Sequence, residues 1–282
     1  MKKLFIICTL AILAIAFSQR AVSQIQIGPT HKFTGDRLSF TPFYDYFPIS
    51  GKSFCGPGGI FDDLVHDLAE QTSFDSQMYC MSTYEDAVHT GAKGQSDIAL
   101  GIYTDTSLYE DWKIIYPAAI DNPVHLVMTP SRISEVKSID DLTNLKGAIS
   151  AHDHFTDFVT EQLKNFNLET IDDSEELYRK LISGEIDYIF ITYWYGMAEV
   201  LKQGIQEMVS FSKKSIWNMP LFIGISKMSR GREFLSHYLT QQMEQKEYRN
   251  KIKERALNIL QQIRDEYRGT VPASYNPNTP NM

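Results

Sequence analysis

The chain has 282 residues, 43% of them apolar and 22% charged, with a formal net charge of −8. At roughly 100–200 residues per domain this is one large or two modest domains with ample core, which excludes collagen-like repeats, disulfide miniproteins and a disordered chain. The excess of 35 Asp+Glu over 27 Lys+Arg excludes general nucleic-acid binding, which depends on neutralising phosphates.

Lys2 and Lys3 precede an apolar run at residues 4–17, and Ala21-Val22-Ser23 places small residues before a cut at Gln24. Basic head, short apolar body and small-x-small site read together as a secretory signal peptide over residues 1–23. At about 14 residues the run is shorter than the ~20 that a membrane-spanning helix needs. Cleavage after Ser23 removes Lys2, Lys3 and Arg20 but no acid, taking the formal charge from −8 to −11. The expected location is the periplasm. Cys8 leaves with the signal, so Cys55 and Cys80 remain as an even pair in an oxidising compartment. Bridged, they close a loop of about 26 residues, worth roughly 3.5 kcal/mol by chain entropy. Two buried thiols are the alternative, because a bridge requires the two Cα atoms to lie close together.

Downstream, short β-type runs alternate with helical patterns, which predicts an α/β architecture. A strand at 36–40 enters the aromatic loop 42–48, and the turn-rich stretch 55–59 leads into a helix carrying Ile60, Leu64 and Leu68 on one face. A short helix at 84–90 and a buried strand at 96–101 follow, then a strand at 124–129 ended by Pro130. A one-turn helix at 138–142 delivers the chain into a strand at 145–150. Helices are predicted at 156–166 and 174–183, the second closed by Gly184. Residues 186–191 are almost continuously apolar, as expected of a strand covered on both faces. A strand at 221–225 and two helices within 230–267 precede a Pro- and Asn-rich stretch, 269–282, expected to be disordered.

Five segments carry a resemblance. They are Gly59-Ile60-Phe61-Asp62-Asp63-Leu64, Gly94-Gln95-Ser96-Asp97, Tyr116-Pro117-Ala118, Ser138-Ile139-Asp140-Asp141-Leu142 with Leu145-Lys146-Gly147, and Ser183-Gly184-Glu185-Ile186-Asp187. In this order the chain resembles the periplasmic solute-binding proteins of the type II bilobal fold, specifically the amino-acid-binding-like solute-binding protein family 3. The resemblance implies two α/β lobes, with residues 30–121 and 221–268 in lobe one and 122–220 in lobe two. Two extended crossings would join them near 119–123 and 216–220, where Pro123 and Pro220 suit extended backbone. It further implies capture of a small polar or aromatic solute between the lobes for an ABC-type uptake system. The implied partner is an inner-membrane ABC permease, and the chain is expected to be a monomer without cofactor or catalysis. The same fold also includes periplasmic dehydratases of the cyclohexadienyl type and ligand-presenting partners of membrane sensors, which stay open as alternatives.

Amino-acid binders of this family hold the ligand carboxylate with an arginine shortly before the aromatic-x-Pro segment, but here that position falls on or near Glu110 and residues 104–113 contain no Arg. The aspartate that meets the ligand ammonium falls on Thr192. With both charge partners missing, an ordinary α-amino acid is not the expected ligand, since a point charge such as Lys113 does not replace a guanidinium fork.

In open α/β sheets ligands sit outside the carboxyl ends of strands. The resemblance therefore places the site on Tyr44 and Tyr46, on Tyr103, Thr104 and Thr106, on Ser150, His152, Phe155 and Thr156, and on Thr192, Tyr193 and Trp194. Aromatic faces with hydroxyls suit a cation, a ring or a sugar-like solute. His152-Asp153-His154 hints at metal ligation, but spacing identifies no third ligand, so no metal is expected. For an enzyme, the acid/base candidates are Glu110, Glu199 and His152.

Overall fold

The two apolar runs around residues 98–102 and 188–192 become the central strands of two five-stranded sheets, and every residue of both strands is buried. This is a computed structural model; the residues it describes are 37–42, 46–50, 58–72, 75–78, 84–91, 93–104 and 110–268. The expected signal peptide, Cys55, Cys80 and the stretch 269–282 lie outside the described residues, as do Tyr44 and Thr106.

The first sheet contains β1 (Arg37–Pro42), β2 (Asp75–Met78), β3 (Ile98–Ile102), β4 (Trp112–Asp121) and β10 (Pro220–Ser226), in the order β2-β1-β3-β10-β4. The second contains β5 (Val124–Met128), β6 (Lys146–Ser150), β7 (Asn167–Ile171), β8 (Tyr188–Thr192) and β9 (Ser210–Phe211), in the order β7-β6-β8-β5-β9. Both sheets have the same grammar. Three strands run parallel around β1 and β6, one antiparallel strand, β10 or β5, follows in each sheet, and β4 or β9 pairs antiparallel to it at the edge.

Eight α-helices occur among the described residues. They are α1 (Asp62–Thr72), α2 (Tyr84–His89), α3 (Pro130–Ile133), α4 (Asp157–Leu163), α5 (Ser174–Ser183), α6 (Tyr193–Lys202), α7 (Arg232–Glu244) and α8 (Lys246–Glu266). None of these helices is long and apolar enough to cross a membrane.

The Gly-x-x-Asp segments now have a physical reason. Asp97 precedes β3 and accepts hydrogen bonds from the Ser39 backbone N–H at 3.0 Å and its hydroxyl at 2.6 Å, tying β3 to β1. Asp187 precedes β8 and accepts from the Lys146 N–H at 2.8 Å, tying β8 to β6, with the Arg132 guanidinium alongside. Each aspartate satisfies a strand-end donor that would otherwise lack a partner. The Gly59–Leu64 segment is held similarly: Arg255 of α8 donates to the Gly59 carbonyl at 2.8 Å and pairs with Asp62 and Asp63. Gly184 closes α5 in the left-handed conformation at φ 79°, which a residue without Cβ adopts freely. The α5 N-cap is Asp173, whose side chain accepts from the Glu176 N–H at 2.7 Å.

Two extended crossings join the sheets, one from β4 to β5 and one from β9 to β10, and they run side by side. The Asn122 N–H donates to the Met219 carbonyl at 3.0 Å, the Val124 N–H to that of Trp217 at 2.8 Å, and the Ile216 N–H to that of Val124 at 2.8 Å. Paired crossings of this kind let two lobes rotate about a short hydrogen-bonded ribbon.

Four elements differ from the sequence expectation. β2 and β7 are short strands with half-exposed, mixed-polarity sequences that give little period-two signal. β4 is a ten-residue strand through Pro117, where only a lead into the crossing was expected; proline is tolerated because β4 is an edge strand. Tyr193-Trp194-Tyr195 is the first turn of α6 and not a loop, with Trp194 and Tyr195 buried. Burial against neighbouring elements overrides the weak intrinsic helix preference of three consecutive aromatics.

Candidate functional site

The densest buried polar cluster lies where the turn after β1, the first crossing and the carboxyl ends of β6 and β8 meet. Tyr46 follows β1 of the first sheet and is fully buried. Its hydroxyl donates to Asp153 Oδ1 at 2.5 Å and lies 2.6 Å from Thr192 Oγ1, which respectively follow β6 and end β8 of the second sheet. Thr192 is the last residue of β8; its N–H donates to Asp153 Oδ2 at 2.6 Å and its hydroxyl to Oδ1 at 2.8 Å. From the crossing, Asn122 Nδ2 donates to Tyr46 Oη and to Tyr103 Oη, each at 3.0 Å.

The hydrogen count in this cluster is informative. Carboxylate oxygens only accept, so the Tyr46 proton is directed at Asp153 and Asn122 must present its NH₂ to Tyr46. That orients Asn122 Oδ1 the other way, where it is buried without any hydrogen-bond partner. Tyr46 Oη, Thr192 Oγ1 and Asp153 Oδ1 form a triangle with sides of 2.5, 2.6 and 2.8 Å. With Asp153 ionised, two hydroxyl hydrogens serve three contacts; protonation of Asp153 supplies the third.

Electrostatics agree with this count. Burial is the largest influence on Asp153 and pushes its carboxyl up to about 6, against the opposing hydrogen bonds from Tyr46 and Thr192. Among the described residues no Lys, Arg or His forms an ion pair with Asp153. Burial, reinforced by the Asp153 charge, holds the Tyr46 and Tyr103 hydroxyls well above the usual phenol range, so both stay protonated donors. Burial also lowers the pKa of His154, favouring a neutral ring.

Aromatic rings enclose the cluster. Tyr46 stacks on Tyr195 at 5.5 Å between centroids and 8° between planes. His154 lies 5.8 Å from Tyr46 and 5.5 Å from Tyr84, and Tyr84 lies 6.0 Å from Tyr103. Aromatic faces around a desolvated carboxylate attract a cation through the ring quadrupole as well as through charge.

The residues expected to form the site separate into groups. Tyr46, Tyr103 and Thr192 meet in the cluster. Ser150 borders it, with Oγ 3.4 Å from the Tyr195 hydroxyl. Thr104 follows Tyr103 and is half-buried. Thr156 serves as the α4 N-cap, accepting from the Val159 N–H at 3.3 Å. Phe155 packs against the core, and His152 lies near the surface with Nε2 3.3 Å from Asp172. Tyr193 and Trp194 stand on the far side of the crossing, where Trp194 Nε1 donates to the Asp121 carbonyl at 2.8 Å. Glu110 is exposed, and Glu199 pairs with Lys202 at 2.6 Å and accepts from Ser174 at 2.8 Å. Among the described residues no group of three or more His, Cys, Asp or Glu converges as a metal site.

The residue that sequence reasoning missed is Asp153. A carboxylate was absent from position 192, but one reaches that place from the loop after β6 and grips Thr192 through both its oxygens. Asn122 was also missed. The available signal for both was a short polar residue at the end of a strand or crossing, next to the aromatic positions.

No protein-family profile matches the sequence, and no curated protein does. Solved structures do match in fold. A binding component of an ABC transporter from Wolinella succinogenes, complexed with lysine, is 19% identical, covers 78% of this chain and 95% of its own, and superposes with a TM-score of 0.63. An amino acid ABC transporter substrate-binding protein from Streptococcus pneumoniae, bound to L-arginine, is 13% identical over 81% of this chain and 96% of its own, with a TM-score of 0.61. The GluR0 ligand-binding core in complex with L-glutamate is 13% identical over 81% of this chain and 100% of its own, with a TM-score of 0.64. With its twin five-stranded sheets and paired crossings, the chain has the two-lobed, type II periplasmic-binding-protein fold.

Proposed function

We propose that this protein is an extracytoplasmic solute-binding protein that captures a small organic cation between its lobes and presents it to an ABC-type permease. The observation that carries the reading is the buried Asp153 carboxylate at the lobe junction, with no cation among the described residues paired to it and with the unpartnered Asn122 Oδ1 nearby. Two acceptors in a desolvated aromatic enclosure suit a ligand that brings positive charge and N–H donors. The ABC-transporter neighbours support the transport role, and two of them carry lysine and arginine, both cationic at the side chain.

The ligand class is narrower than in those neighbours. Among the described residues no Lys or Arg side chain hydrogen-bonds to Asp153 or Thr192, so an α-carboxylate finds no guanidinium beside them. An amine or guanidine without a carboxylate fits the cluster better than an ordinary α-amino acid. Export by a signal peptide cleaved after Ser23 and function as a monomer belong to the same reading.

A thermal-shift screen of the mature protein tests it. A bound amine at 100 times its dissociation constant is expected to add about 2.7 kcal/mol. Common α-amino acids are expected to give no shift. Strong stabilisation by glutamine or glutamate, with none by any amine, contradicts the proposal.

One observation favours a second reading, an enzyme. Asp153, with its carboxyl at about 6 and in contact with the Tyr46 hydroxyl, has the attributes of a general acid/base. Chemical turnover of a stabilising solute would select that reading.

A further inference from the structure

Beside the crossings lies a cavity of about 740 Å³, lined by residues next in sequence to Asn122 and Thr192 but by none of the Tyr46 cluster itself. One wall is α8 of lobe one, which contributes Arg249, Lys253 and Leu257 at positions i, i+4 and i+8 along a single helix face. The opposite wall is lobe two, through His125 of β5 and Tyr193 at the start of α6. Both crossings line it as well, through Asp121 and Asn218.

The charges in this cavity are unbalanced. Arg255, elsewhere on α8, is neutralised by Asp62 and Asp63, but among the described residues neither Arg249 nor Lys253 forms an ion pair, the Arg249 guanidinium donating only to the Met243 carbonyl. The cavity's one carboxylate, Asp121, already accepts from Asn218 Nδ2 at 2.9 Å. His125 holds its proton on Nδ1, directed at the Ser212 carbonyl 2.9 Å away. In a chain of net charge −8, two adjacent cations left without acids mark a place where an anion is welcome.

We propose that this hinge-side cavity binds a small oxyanion, a carboxylate or phosphate group, held by Arg249 and Lys253 against the crossings. A guanidinium and an ammonium one helical turn apart suit a multi-oxygen anion, with the fork giving direction and the lysine giving charge. Because both lobes and both crossings form the walls, an anion there has different affinity for different lobe angles. It therefore biases closure of the solute cleft, and the coupling is reciprocal. This site does not depend on which solute occupies the cleft.

The test titrates the mature protein with inorganic phosphate and, separately, with succinate by calorimetry, against sodium chloride at matched ionic strength. Saturable binding of at least one is expected, and the stronger of the two identifies the source of the oxyanion. Lys253 is exposed and has no partner to lose, so Lys253→Gln should leave folding intact and weaken binding roughly tenfold, the loss of one charged hydrogen bond. The double variant R249Q/K253Q should abolish it. The proposal is overturned if neither anion binds saturably or if R249Q/K253Q binds as well as the parent.

Discussion

Replacing Asp153 by alanine is expected to weaken binding of a cationic solute by roughly 3–5 kcal/mol, about two to four orders of magnitude in Kd. The magnitude follows from removing one member of a desolvated ion pair, which leaves the other charge buried and unpaired. Folding should suffer less. The Tyr46 and Thr192 hydroxyls lie 2.6 Å apart and can satisfy each other, so the backbone N–H groups of Thr192 and His154 are the donors that lose an acceptor, a cost of about 1–3 kcal/mol for the buried Thr192 N–H. Calorimetry of the parent and the variant with the same amine separates the two effects.

The pH dependence has a definite sign. Asp153 stands at about 6 in the fold against 3.8 for a free aspartate. Between pH ~4 and ~6 the folded protein therefore keeps a proton that the unfolded chain has released, and stability falls as pH rises through that window, by roughly 3 kcal/mol from this group. Affinity for a cation moves the other way over the upper part of the window, rising as Asp153 ionises. Asp153→Asn should flatten both slopes. An unchanged pH profile in the variant would assign the dependence to another group.

Trp112→Ala is expected to be the most destabilising of the simple truncations, by about 3–5 kcal/mol, or a drop in Tm of roughly 10 °C. Trp112 opens β4, is 2% exposed, and donates from Nε1 to the Val88 carbonyl at 2.8 Å. Its ring fits between two glycines that leave room for it. A Cβ on Gly91 would stand 2.5 Å from the indole, and one on Gly224 3.2 Å. The truncation thus leaves a cavity bounded by two residues with no side chain to fill it. Because β4 runs on into the first crossing, the variant should also loosen the lobe junction. Denaturant melts of parent and variant measure the effect, and a loss below about 1 kcal/mol would contradict this account of the packing.

Much of the fold was legible because local signals and long-range roles coincide. Residues 186–191 read as a covered strand, and β8 is the fully buried centre of its sheet. Asp97 and Asp187 sat in recognisable segments because each is needed at the same corner of its own lobe. The extent of β4 was not legible, since Pro117 interrupts it and edge position is a property of the sheet and not of the strand.

The site was legible only in part, for a related reason. Tyr46, Tyr103 and Thr192 could be placed at strand ends from the topology that the resemblance implies. Asp153 could not, because its neighbours suggested a polar cap or surface loop. Its burial depends on Tyr46, 107 positions away, and on Thr192, 39 positions away. Comparison of positions along the chain finds Thr192 where relatives have an aspartate, and cannot show that the Asp153 carboxylate lies against it in space. The aromatic triplet 193–195 divided for a similar reason. A helix sends successive side chains in different directions, so Tyr195 stacks on Tyr46 while Trp194 turns to the crossing.

The account rests on a cation meeting Asp153 between the lobes, and a crystal structure of the mature protein with its most stabilising amine tests that most directly. The expected result places the cationic nitrogen about 3 Å from the Asp153 carboxylate, between Tyr46 and Thr192, with Asn122 Oδ1 accepting a second donor. A solute whose positive group lies elsewhere, or an anionic group seated at Thr192 in its place, would contradict it.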